Sequence, residues 1–329
     1  MIVTISKEFL KLSDAEKEKD ACEFISILEH GHYLDMDVQV ENKVSEIVEG
    51  KLLSHQKAIY EEAVEYLHPT KLMKRFLTTL NFYDFNPKER GILFLKASEL
   101  LVENAPNEWP VYERMSSAYR NDASYSSIFA YVLRTMHHSA AMLIGAQAGG
   151  KGEILKMIEY KNKYEFDNLY KYKSCILFDR DTKDNTSFAP DNSPIFKYLC
   201  NKDYTKIENS DIYKLDFGDW YIWHSWYKRA IENYFPKSEY QKLGVEMDDY
   251  PDDDSYDYIK FPIEETKEWK KRHKGKTSKD RKTYEKDMME KVGKSMTKKD
   301  YEENLRSFDV DGIKLSELQL FLLKLAKIA

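Results

Sequence analysis

Three short apolar runs, each closed by turn chemistry and separated by stretches of helical periodicity, constrain this chain more than any other feature. Leu100-Leu101-Val102 leads into Asn104-Ala105-Pro106-Asn107, and Ala140-Ala141-Met142-Leu143-Ile144-Gly145 is ended by Gly149-Gly150-Lys151-Gly152. The third run, Ser174-Cys175-Ile176-Leu177-Phe178, ends at Asp179-Arg180-Asp181. Continuous apolar runs of this length suit strands buried on both faces, and the intervening helices supply the crossovers that parallel strands require. The fold class expected is α/β, with a parallel sheet flanked by helices that begins near residue 98.

The flanking regions read differently. Ser13-Asp14-Ala15-Glu16 carries helix-capping chemistry, and Ala21, Phe24, Ile25 and Leu28 then recur at helical spacing. Val44, Ile47, Val48 and Leu52, then Ile59, Ala63, Val64 and Leu67, continue the period; Pro69 stops one helix, and Asn86-Pro87-Lys88-Glu89 opens another that runs to about Lys96. Residues 1–97 are therefore expected as a helical N-terminal region, 98–245 as the α/β domain and 246–329 as a charged loop with a helical C-terminal region. Residues 246–257 hold seven acidic residues and no basic one, whereas 267–282 hold nine Lys/Arg against two acidic residues. The basic block suits phosphate contacts, or else a solvated helix face. Leu315 to Ile328 reads as an apolar helix that packs in cis or against a partner.

Composition narrows the classes further. At 329 residues the chain has length for about two domains, and no run approaches the ~18–20 apolar residues of a membrane span. Met1 to Lys7 shows no basic start followed by a long apolar stretch, so no signal peptide is expected. Three scattered cysteines (Cys22, Cys175, Cys200) exclude a four-cysteine zinc site and a disulfide framework, and fit a cytoplasmic protein. The net charge of −6 is near balance for so charged a chain and says little about partners.

In open α/β sheets, functional groups gather beyond the carboxyl ends of the strands. There the sequence places Glu103 after one run, the Gly149-Gly150 turn after another, and Asp179 and Asp181 after the third. Carboxylates so placed can hold divalent cations through oxygen ligands and leave coordination positions for water and phosphate.

Leu100-Leu101-Val102-Glu103-Asn104, the Ala148-Gly149-Gly150-Lys151 turn and Ile176-Leu177-Phe178-Asp179-Arg180-Asp181 resemble the Toprim domain. That domain is shared by topoisomerases, bacterial primases and nucleases of the OLD (overcoming lysogenization defect) type. The resemblance spans about residues 98–236 and implies that Glu103, Asp179 and Asp181 are catalytic and bind Mg²⁺ or Mn²⁺. Lys228-Arg229-Ala230-Ile231-Glu232-Asn233-Tyr234-Phe235-Pro236 resembles the segment after the sheet core in OLD-like nucleases, which makes Glu232 a further metal ligand. Where the family has Gly after the Glu and an acid four places on, this chain has Asn104 and Asn107; Glu108, one later, is either a shifted ligand or a residue that favours the helix start. A downstream Lys is also implied, with Lys270, Lys271, Lys274 and Lys276 as candidates. Stand-alone Toprim nucleases resemble effectors of bacterial anti-phage systems. The partners implied are thus nucleic acid (DNA or RNA), a separate ATPase subunit and, as a homo-oligomer, a second copy of the chain, with no membrane. Without a cysteine cluster or room for a second DNA-gate domain, nuclease is preferred to primase or topoisomerase.

Two other readings compete. Gly145-Ala146-Gln147-Ala148-Gly149-Gly150-Lys151-Gly152 nearly matches a phosphate-binding P-loop, but Gly152 stands where a Ser or Thr hydroxyl is needed, and Glu103 and Asp181 are left without a role. The other is a non-catalytic interaction protein that uses a Toprim-like sheet as a scaffold.

Overall fold

The computed structural model describes residues 1–137, 143–182, 184, 186–218, 220–245, 247–248, 250, 254–258, 286–303 and 305–329. The chain is mixed α/β, and its two larger sheets are wholly parallel.

The N-terminal region holds a three-stranded sheet of β1 (Ile2–Ile5), β2 (Tyr33–Met36) and β3 (Thr79–Asn81), in the order β2-β1-β3. Helix α1 (Asp14–Glu29) crosses from β1 to β2 and begins with the expected capping box. Ser13 N donates to Glu16 Oε2 at 2.9 Å, and Glu16 N donates to Ser13 Oγ. Helices α2 (Val38–Lys51), α3 (Ser54–Glu62) and α4 (Lys71–Phe76) return the chain to β3, with Asp37 capping α2. The apolar periodicity is buried as its spacing requires, at Phe24, Ile25, Leu28, Val44, Ile47 and Val48. The expectation of a helical region over 1–97 is nevertheless corrected, since β1, β2 and β3 lie within it. Strands of three or four residues are shorter than the window over which periodicity separates helix from strand.

The central sheet comprises β4 (Ser98–Val102), β5 (Leu143–Gln147), β6 (Ser174–Phe178) and β7 (Ile222–Ser225), in the order β5-β4-β6-β7. Helices α5 (Ala105–Ala118) and α6 (Ser126–His137) link β4 to β5, α7 (Ile154–Tyr160) precedes β6, and α8 (Ser193–Cys200) precedes β7. The first and third expected strands are found in place. The second lies at Leu143–Gln147, three residues later than the run's first residue, and residues 138–142 lie outside the described set. Strand β7 was not expected.

After a hairpin of β8 (Ser307–Val310) and β9 (Ile313–Ser316), turned by Asp311 and Gly312 at positive φ, the chain ends in α9 (Glu317–Ile328). This helix is buried around its whole circumference, and it packs on α4, α6, β4, β6 and β7. It belongs to the core of the central sheet, where Ile2, Tyr33, Phe76 and Leu77 from the N-terminal region also pack. The expected helical C-terminal region is found in part, at Lys298–Glu303 and Glu317–Ile328, with the unexpected hairpin between them. Among the described residues no helix is long and apolar enough to cross a membrane.

Two charges are buried with α9. Lys324 Nζ donates to Ile212 O (2.5 Å) and Trp223 O (2.8 Å) and faces His224 Nδ1 at 3.3 Å. Glu317 accepts from Tyr227 N (2.7 Å) and Tyr234 Oη (2.5 Å) and lies 3.3 Å from His224 Nε2. Burial pushes Lys324 down to about 7 and His224 down to about 4. Glu317→Ala would strand the buried Tyr234 hydroxyl, leave Tyr227 N with only Tyr234 Oη as acceptor, and remove the carboxylate beside His224. It is expected to cost about 3–5 kcal/mol in urea unfolding at pH 7, and a loss under about 1 kcal/mol would show that the network is not needed.

Candidate functional site

All four central strands run the same way, so their carboxyl ends meet at one edge. Glu103 follows β4 directly. The glycine turn is laced over this strand end by Ala148 N to Val102 O (2.9 Å) and Gly149 N to Glu103 O (3.2 Å). Gly149 and Gly150 have φ of 92° and 124°, conformations that side chains rarely adopt, and they direct Lys151 into a short 3₁₀ turn, Lys151–Glu153, ahead of α7.

Asp179 and Asp181 leave β6. Between them, Arg180 is fully buried and turned away, donating to Trp226 O (3.2 Å), Ser187 O (3.1 Å) and Asn209 Oδ1 (2.6 Å). Asp181 adopts a left-handed backbone (φ 59°), and its N–H donates to Arg229 O at 3.0 Å. Glu232 sits in a 3₁₀ turn, Ile231–Tyr234, which is pinned by Lys228 Nζ to Asn233 O (3.1 Å), Lys228 Nζ to Asp257 Oδ1 (2.7 Å) and Tyr240 Oη to Glu232 O (2.8 Å). Glu108, in the first turn of α5, accepts from Asn104 N (2.9 Å) and Tyr112 Oη (2.6 Å).

Glu103, Glu108, Asp181 and Glu232 all lie near enough to Asp179 to act on its charge. Burial raises Asp179 well above the usual carboxylate range, and Glu232, Glu108, Glu103 and Asp181 each raise it further. Glu103 is raised by burial and by Asp181, against the Lys151 ammonium and the backbone N–H groups of Asp179 and Lys151. Burial brings Glu108 up to about 7, against its hydrogen bond from Tyr112. Lys151 Nζ contacts Asp181 Oδ2 at 2.6 Å. Glu103 Oε1 is buried with no hydrogen-bond partner among the described residues.

The sequence-expected residues Glu103, Asp179, Asp181 and Glu232 thus lie at one edge of the sheet, with Glu108 beside them. An all-oxygen donor set of crowded carboxylates suits a hard divalent cation such as Mg²⁺ or Mn²⁺, and the orphaned Glu103 oxygen is consistent with a missing partner. As the side chains stand, no three His, Cys, Asp or Glu residues among the described residues form a ligand cluster. Asp181 is engaged by Lys151, and Glu108 by Tyr112 and Asn104.

Lys270, Lys271, Lys274 and Lys276, the whole basic block and much of the acidic one lie outside the described residues. The P-loop reading fits the local structure poorly. Gly145, Ala146 and Gln147 remain paired with β4, so no long phosphate-cradling loop forms between Gly145 and Lys151. Gly145 has a packing role instead, because a Cβ there would meet Trp109 Cε3 at 2.9 Å.

Sequence reasoning missed two contributors to this edge. Lys151 belongs to the Toprim-like turn and to the P-loop pattern, and neither gives it a contact with the strand-end acids; its place directly after two glycines at a strand end is the signal. Arg180 was passed over as the variable residue between two aspartates. Comparison with family models, with curated proteins and with solved structures returns no match.

The raised Glu108 carboxyl links stability to pH. The folded chain holds a proton on Glu108 that the unfolded chain releases near 4.5, so this contribution is complete below about pH 4.5 and is lost as pH rises through about 7. With EDTA present, Glu108→Gln should shrink the stability difference between pH 5.5 and pH 8 by on the order of 2 kcal/mol, read from urea midpoints. Equal pH slopes in the two proteins would contradict a protonated Glu108.

Proposed function

We propose that this chain is a metal-dependent nuclease that hydrolyses phosphodiester bonds of nucleic acid, with the central sheet in a Toprim-like role. The observation that carries the reading is the collection of Glu103, Glu108, Asp179, Asp181 and Glu232 around one sheet edge, where Asp179 bears the repulsion of the other four. Like charges are gathered at such cost where a functional cation relieves them.

In this reading Glu103, Asp179, Asp181 and Glu232 hold one or two Mg²⁺ or Mn²⁺ ions. When bound, such ions supply charge stabilisation to the attacking and leaving oxygens of the phosphodiester. Glu103 and Asp179, directly after β4 and β6, give the site its rigid part. Asp181 and Glu232, on turns anchored through Arg229, Lys228 and Tyr240, close it from the side. Arg180, hydrogen-bonded to Trp226 O, Ser187 O and Asn209 Oδ1, fixes the loop that carries the two aspartates.

The same resemblance supports a cytoplasmic effector of bacterial anti-phage defence that works with a separate ATPase subunit.

The test is cleavage of plasmid, linear DNA and total tRNA with Mg²⁺ or Mn²⁺. Activity should be abolished by EDTA and reduced about hundredfold or more in Glu103→Gln and Asp179→Asn, since losing a ligand removes several kcal/mol of charge stabilisation. Wild-type and variant proteins of equal activity would favour the scaffold reading instead.

A further inference from the structure

The glycine turn delivers a positive charge into the carboxylate cluster. The Lys151 side chain is only 13% exposed, and its ammonium contacts Asp181, whose side chain is 41% exposed. The same ammonium opposes the upward shift of Glu103, so its field reaches the strand-end acids as well. Its backbone is fixed by the positive φ of Gly149 and Gly150 and by the bond from Gly149 N to Glu103 O. Asp181 is fixed too, by its left-handed backbone and its bond to Arg229 O, which leaves its side chain as the part free to turn.

We propose that Lys151 is a positioning residue of the carboxylate site. Without a divalent cation its ammonium holds Asp181 aside, and a cation must displace it before Asp181 can become a ligand. The inference rests on the metal-dependent reading of the site. It accounts for Asp181 standing at the carboxylate edge and yet being paired with Lys151, with no three-residue ligand cluster among the described residues. An ammonium and a divalent cation cannot share one carboxylate without strong repulsion, so the two states exclude each other. The lysine therefore weakens cation binding while it keeps the empty cluster tolerable.

The experiment measures Mn²⁺ binding to the full chain by isothermal titration, together with melting temperature with and without Mn²⁺. Lys151→Met, and Lys151→Gln as a second neutral variant, should bind Mn²⁺ about three- to tenfold more tightly than wild type, the scale of a competing, partly exposed ion pair. Both should melt lower without metal and gain more from it. Lys151→Arg and the surface control Lys156→Met, whose lysine pairs with Glu153, should match wild type. In an Asp181→Asn background the gain from Lys151→Met should shrink, because the competing pair is already gone. Wild-type affinity in both neutral variants, or an undiminished gain without Asp181, overturns the proposal while leaving the metal site standing. Failure of the wild-type chain to bind Mn²⁺ overturns the metal reading and this inference with it.

Discussion

Parallel pairing of β4 with β5 on one side and β6 on the other sends three chain segments out of the sheet in the same direction. Everything at the candidate site follows from that register. With Val102 opposite Gln147 and Leu101 opposite Ile176, the residues that leave these strands are Glu103, the glycine turn and Asp179, and they have nowhere to go but toward one another. A slip of one residue in either pairing would turn Leu100 and Leu101 to the wrong faces, so the apolar packing on both sides of the sheet protects the placement of the acids. The site is rigid because the core beneath it is.

Charge is handled in opposite ways at two places. Under the sheet, Lys324 and Glu317 are buried but supplied with backbone carbonyls, a tyrosine hydroxyl and a backbone N–H, with His224 between them. At the carboxyl edge, Lys151 brings a single ammonium among the described residues against several acids, and Asp179 and Glu103 are driven toward their protonated forms. The first arrangement gives Lys324 and Glu317 hydrogen-bond partners and holds α9, the sheet and the Ile231–Tyr234 turn together. The second is left under-compensated, and that imbalance is the physical basis for reading it as a cation site. The first also steadies the second, because Tyr234 and Glu232 share one turn.

Much of the central sheet could be read from local pattern. The run Ser174–Phe178 is uniformly apolar or small, and it is buried at every position in the structure. The Ser13–Glu16 capping box and the Asn86-Pro87 helix start also work at short range, through side chains that satisfy the first backbone N–H groups. Strand β7 escaped because His224 and Ser225 make it look polar, and His224 is tolerated inside only because α9, some 100 residues away, brings Lys324 and Glu317 to it. The Asp311-Gly312 hairpin carries a local turn signal of its own.

By itself the sequence determined the α/β class, the three strands that bear on the site, and which acids stand at their ends, because burial patterns and turn chemistry act over a few residues. Only the tertiary structure decided that those acids meet, that Glu232 and Glu108 join them, and that Lys151 reaches Asp181 rather than solvent. It also decided that α9 is core rather than a tail, and that the N-terminal region contains a sheet. Strand order, register and the balance of charges across a cleft depend on segments far apart in the chain, and no local pattern encodes which of them will be neighbours.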